Sequence, residues 1–143
     1  MKLHQYIGIC LFLYPLVALS EQYLCVPDKM TGFAYDAKKK EWDYMQFNTN
    51  FKWVIAPANN GRDAFVQTKV GDKDPEGYCK QGFNEGGFLF CSGLGGDLKF
   101  NRNNGRYLMV FTMGYYVVGK GQWAETDADS GTPMVQIGKC SAF

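Results

Sequence analysis

Apolar and polar positions alternate with a period of two through most of the chain beyond residue 20. Phe51, Trp53 and Ile55 share one face of a short run, and Trp42, Tyr44 and Gln46 alternate with Asp43 and Met45 in another. That is the period of a strand, because successive side chains of an extended backbone point to opposite faces. Further runs at Tyr23–Val26, Gly32–Tyr35, Ala64–Val70, Tyr78–Lys80, Phe88–Cys91 and Met134–Cys140 read the same way. Turn residues punctuate them at intervals of roughly ten positions, and no stretch recurs at helical spacing. The pattern predicts an all-β fold, a single small antiparallel barrel or meander of about eight strands, with neither internal repeat nor linker.

The stretch from Cys91 to Tyr116 is the most fully specified. Asn104-Gly105 is a strong hairpin signal, since a type I′ turn needs positive φ at both central residues. A two-residue turn there sets Arg102 opposite Tyr107, Phe100 opposite Met109 and Leu98 opposite Phe111. Leu98, Phe100, Tyr107, Met109 and Phe111 then form one apolar face, whereas a slip by one residue would present Lys99 and Asn101 to it. The preceding Gly93-Leu94-Gly95-Gly96 invites comparison with a phosphate cradle. Such a cradle requires a helix after the glycines, and here a strand pattern follows, with no G-x-G-x-x-G and no Lys-Ser/Thr pair. The expectation is a tight corner between adjacent strands.

The N-terminus departs from this pattern. Met1–Ser20 carries Lys2, an apolar run from Ile7 to Leu19, and small residues at Ala18 and Ser20 before Glu21. It reads as a cleaved signal peptide, too short in its apolar core for a comfortable membrane span. Residues 21–143 then form a single domain. Bases and acids become equal in number once Lys2 is removed, so there is no electrostatic case for nucleic acid or an anionic membrane surface. The only histidine, His4, is lost with the leader, and with it any Ser-His or Cys-His nucleophile.

Four cysteines remain: Cys25, Cys79, Cys91 and Cys140. An even number in an exported chain reads as two disulfides with three possible pairings. Cys79 and Cys91 flank a glycine-rich turn, and Cys25 and Cys140 lie near the two ends, so the favoured pairing is 25–140 and 79–91. A zinc site built from four thiolates would want C-x-x-C pairs, which are missing.

Other candidate chemistry is sparse. Asp72-Lys73-Asp74-Pro75-Glu76-Gly77 spaces its oxygens like a calcium loop, but Phe83 stands where the bidentate Glu should be. Asp127-Ala128-Asp129-Ser130-Gly131 is likewise incomplete. No pair of carboxylates is singled out for acid–base work. Lys38-Lys39-Lys40 reads as a solvated hairpin tip. Tyr115, Tyr116 and Trp123, in glycine-rich surroundings, are the candidate binding residues, with rings suited to stacking on a sugar or a partner's side chain. No metal or cofactor is expected, and no enzymatic activity.

Several of these segments together resemble a family of small exported bacterial β-barrel proteins of unassigned role. The resemblance lies in Tyr23-Leu24-Cys25, Thr31-Gly32-Phe33-Ala34-Tyr35-Asp36, Trp42, Cys91-Ser92-Gly93, Leu98-Lys99-Phe100-Asn101, Gly114-Tyr115, Thr132-Pro133 and Ile137-Gly138-Lys139-Cys140. It covers most of the chain beyond the leader and implies no function. Tyr23-Leu24-Cys25 and Cys140 also resemble, more faintly, the staple of periplasmic c-type lysozyme inhibitors, small β-barrels that insert a Ser- and Lys-bearing loop into the enzyme. No residue here is matched to that loop, and the Cys79/Cys91 hairpin departs from their pattern. The expected function is that of an exported, periplasmic or secreted binding module acting on a protein or cell-envelope component. The alternative is a lipocalin-like carrier holding a small apolar ligand inside the barrel.

Overall fold

The alternating runs form nine strands in a computed structural model that describes residues 21–94 and 96–143. The expected leader, Met1–Ser20, lies outside those residues. The strands are β1 (Tyr23–Asp36), β2 (Glu41–Gln46), β3 (Trp53–Pro57), β4 (Phe65–Lys69), β5 (Gly77–Cys79), β6 (Phe88–Gly93), β7 (Gly96–Asn101), β8 (Arg106–Phe111) and β9 (Met134–Ala142). β1 and β3 to β9 pair antiparallel in chain order, and β1 pairs with β9 to close an eight-stranded barrel. β2 pairs only with the far half of β1, so this hairpin overhangs one end of the ring. The described residues contain no α-helix, only single 3-10 turns at Tyr115–Val117 and Asp127–Asp129.

Two details differ from the expectation. The runs Tyr23–Val26 and Gly32–Tyr35 belong to one 14-residue strand. Between them Pro27-Asp28 forms a bulge: Pro27 opposes Gly138 and Lys29 opposes Ile137, leaving Asp28 unopposed. Proline has no N–H to contribute to the ladder, and bulges are where strands tolerate it. The β7–β8 register also differs. Phe100 faces Tyr107, Leu98 faces Met109 and Asn101 faces Arg106, so the loop has four residues, Arg102 to Gly105. Gly105 has φ +69°, but Asn104 does not adopt positive φ, so no type I′ turn forms. The longer loop is held by its asparagines. Asn101 Oδ1 accepts from the Asn103 N–H, and Asn104 Oδ1 from the Arg106 N–H. Its ends also bond outward, with Arg102 N–H donating to Gly87 and Cys140 N–H to Gly105. Because each partner moves by two positions, Leu98, Phe100, Tyr107 and Met109 stay on one buried face, while Phe111 is only partly buried.

The glycine cluster does form the expected corner. Gly93 pairs with Gly96, exposed Leu94 sits between them, and strand β7 follows directly. A Cβ on Gly93 would lie 2.1 Å from the Glu76 carbonyl, so close approach of backbone explains that glycine. Lys38 to Lys40 form the tip of the β1–β2 hairpin. Asp36 accepts from the Lys38 and Lys39 N–H groups, which holds its carboxyl below the usual range, and Lys39 reaches Asp43 at 2.6 Å.

Side chains fill the lumen. Tyr23, Trp53, Ile55, Leu89, Leu98, Phe100, Tyr107 and Met109 are buried together with both disulfides, Cys25–Cys140 and Cys79–Cys91. Gln67 on β4 donates to the Met109 sulfur on β8 at 3.3 Å, linking strands on opposite sides of the ring. Gln136 donates to the Tyr107 hydroxyl, and burial pushes that phenol up to about 12.

Candidate functional site: an apolar groove at the overhanging end

The two ends of the barrel are built differently. At one end Phe83, from the β5–β6 loop, lies between Tyr23, Phe65 and Phe100, with ring centroids 5.4–5.7 Å away. The Arg102 guanidinium covers Phe83 at 4.8 Å and meets Glu21 at 3.5 Å, and the Tyr23 hydroxyl donates to the same carboxylate. Burial, reinforced by Glu21, raises the Tyr23 phenol to about 12. This end is plugged.

At the other end the β1–β2 hairpin meets the long connection from Thr112 to Pro133. Pairing of Tyr35 with Trp42 and of Phe33 with Tyr44 collects four aromatic rings on one face of the hairpin. The Trp42 ring is 5.8 Å from Tyr35 and 5.2 Å, edge-on, from Tyr115. Its indole N–H donates to Asp127 Oδ1 at 3.1 Å, across 85 residues of sequence. The connection braces itself: Val118 bridges to Ala124, Thr126 Oγ1 donates to Asp129, and Ser130 Oγ donates to the Asp127 carbonyl. Together these contacts hold Asp127 beneath Trp42.

Between hairpin and connection lies an open groove of about 540 Å³. Its floor is formed by the ends of β8 and β9, where Val110 opposes Val135 and Phe111 opposes Met134, and its walls are Phe33 and Trp42 on one side and Tyr115 and Tyr116 on the other. None of its lining side chains is charged. Thr112 and the two phenols are the side chains that carry a hydroxyl, so the groove offers contact area and water exclusion rather than acid–base chemistry.

Of the candidate binding residues, Tyr115 and Tyr116 line the groove and are 60% and 69% exposed. Trp123 lies outside it, with its ring against Gly131. Phe33 and Trp42 are not singled out by the sequence. The signal is present, since Phe33, Tyr35, Trp42 and Tyr44 are all aromatic at alternating positions, but only the hairpin register shows that they share a face. The acidic candidates remain in connections: Asp127 and Asp129 begin and end a 3-10 turn, and Asp72 to Glu76 lie between β4 and β5. Among the described residues no three His, Cys, Asp or Glu side chains gather, and no helix is long and apolar enough to cross a membrane. Compared with protein-family models, curated proteins and solved structures, the chain matches none, and its functional reading rests on this geometry.

Proposed function

We propose that the domain is an exported binding module that grips an apolar group of a protein or cell-envelope component in this groove. The observation that carries the reading is an uncharged aromatic groove on the outside of a barrel whose lumen is already filled. An exposed patch of this kind, held by bonded neighbours, is the usual mark of an interaction surface. The two buried disulfides belong to an oxidising compartment, which supports a periplasmic or secreted location. The packed lumen argues against an interior carrier, so a small apolar ligand would compete for the groove instead.

The test compares the oxidised protein with the Tyr115→Ala/Tyr116→Ala variant. Each is immobilised and exposed to envelope extract, and the retained partner's affinity is then measured directly. A stoichiometric partner bound at least about tenfold more weakly by the variant supports the reading. Equal binding by both proteins, or no partner in repeated captures, overturns it. Because the Cys25–Cys140 staple is present, inhibition of a c-type lysozyme is the first specific assay.

A further inference from the structure

A second surface lies on the outside of β5 and β6, across the barrel from the groove. Alternation along β6 sends Leu89 and Cys91 inward and Phe88 and Phe90 outward. The two outward rings lie 6.5 Å apart and close to parallel, at 21°. They are 41% and 55% exposed, and Tyr78 beside them on β5 is 41% exposed. Three large aromatic rings left on the outer face of a barrel with a full core are not needed for packing.

Polar groups surround this shelf. Arg62 and Lys80 line the same broad concavity, of about 1040 Å³, and exposed Lys99 lies directly opposite Phe90 on β7. Among the described residues none of these three cations has a carboxylate within ion-pair distance. Asn84 and Asp63 complete the rim. Asp63 is oriented by Asn60, at 2.8 Å, and Asn84 by the Phe88 N–H, at 2.9 Å.

We propose that this shelf binds an acidic glycan, a chain of sugar rings bearing carboxylates. Aromatic rings pack against the C–H faces of pyranose rings, and the near-parallel, partly exposed Phe88 and Phe90 offer ring surface at two successive outward positions of the strand. Arg62 matches a carboxylate through paired N–H groups, and Lys80 and Lys99 supply further positive charge, so that three cations face two acids, Asp63 and the exposed Asp97 opposite Ser92. The Asn84 amide and the Asp63 carboxylate suit hydroxyl groups, which both donate and accept. Asp63 also separates a glycan from the other anionic polymer that stacks on aromatic rings. Asp63 opposes the charge of either polymer, but glycan hydroxyls can donate to it, whereas a DNA phosphodiester backbone brings only acceptors to that rim. The surface is separate from the apolar groove and does not depend on the function proposed for it.

The test is titration calorimetry on the purified, oxidised protein with three hexameric probes: an oligouronate, the neutral oligosaccharide cellohexaose, and single-stranded dT6. The oligouronate is expected to bind, with affinity falling as salt rises, and cellohexaose to bind at least about tenfold more weakly. Phe90→Leu keeps the apolar bulk but removes a ring, and should weaken oligouronate binding about tenfold; Arg62→Gln should weaken it severalfold and flatten the salt dependence. Both positions are on the surface, and an unchanged melting temperature verifies the fold. Tyr115→Ala/Tyr116→Ala should leave this binding unchanged. No oligouronate binding, equal binding of cellohexaose, tighter binding of dT6, or indifference to both Phe90→Leu and Arg62→Gln would each overturn the assignment.

Discussion

The plugged end and the grooved end of this barrel use the same kind of residue for opposite purposes. At the plugged end Phe83 turns inward among Tyr23, Phe65 and Phe100, and Arg102 covers it. Both disulfides lie toward this end, because Cys25 follows Tyr23 closely on β1 and Cys79 is the last residue of β5. At the grooved end Phe33, Tyr115 and Tyr116 are more than half exposed, and the connection they border is fastened by hydrogen bonds such as that from Trp42 to Asp127. Aromatic content alone does not distinguish core from site. What distinguishes them is whether neighbouring elements arrive to cover the ring.

The contrast can be broken most severely at the plugged end. Replacing Cys25 and Cys140 together by alanine opens a closure of 115 residues, expected to cost about 5 kcal/mol in the chain-entropy account. The corresponding change at Cys79 and Cys91, whose closure spans 12 residues, should cost about 3 kcal/mol. Urea unfolding of the two double variants measures the difference, and equal losses would contradict the account. Phe83→Ala should cost roughly 2–3 kcal/mol, since the ring is only partly buried. The same measurement checks it, with groove binding expected to be unaffected.

Alkali offers a graded version of the same attack. Tyr23 and Tyr107 have folded-state values of about 12, raised above the ordinary phenol value of 10.0. A folded-state value above the unfolded one means that the folded chain holds the proton more tightly. The contribution is therefore intact below pH 10 and is lost as pH rises from about 10 toward 12. Tyr107 should steepen the loss by up to about 1 kcal/mol per pH unit once solvent screening is allowed for. Tyr23, whose hydroxyl lies at the rim beside Glu21 and Arg102, should add less. Unfolding midpoints measured from pH 8 to 12 should show this decline, and Tyr107→Phe should make it shallower.

The smallest stability effects belong to the grooved end. Trp42→Phe keeps an aromatic ring but removes the bond to Asp127, which should cost about 1 kcal/mol or less. Its larger effect should be on partner affinity, because Asp127 and Tyr115 lose their common anchor. If Trp42→Phe lowered stability as much as Phe83→Ala, the two ends would not differ in the way described.

Much of the barrel is legible in the sequence because its signals are local. Alternation locates the strands, and cysteine placement favours the disulfide pairing that is found. The errors arise where a local signal competes with a distant one. Asn104-Gly105 favours a two-residue turn, but side-chain acceptors at Asn101 and Asn104 and bonds to Gly87 and Cys140 hold a four-residue loop. Tyr23–Val26 and Gly32–Tyr35 read as separate runs, but β9 pairs along β1 from Tyr23 to Gly32, across the bulge at Asp28. The groove is half legible. Tyr115 and Tyr116 are conspicuous, yet Phe33 and Trp42 join them only through a hairpin overhang and a contact between residues 42 and 127. The outward Phe88 and Phe90 are hidden for a similar reason, since alternation gives two faces and cannot say which is the lumen.

The antiparallel closure of β1 by β9 also constrains when the molecule can be completed. Among the described strands β1 leaves the ribosome before all others, and β9, which covers its second edge, follows them all. Cys25 must likewise wait for Cys140 while Cys79 and Cys91 pass by. Oxidation in order of emergence would join Cys25 to Cys79, a linkage the finished barrel does not contain. Correct maturation therefore favours delayed oxidation or a thiol–disulfide isomerase. Long-range pairing of this kind also places the chain among the slower-folding topologies. Its first strand spends most of synthesis as an open edge.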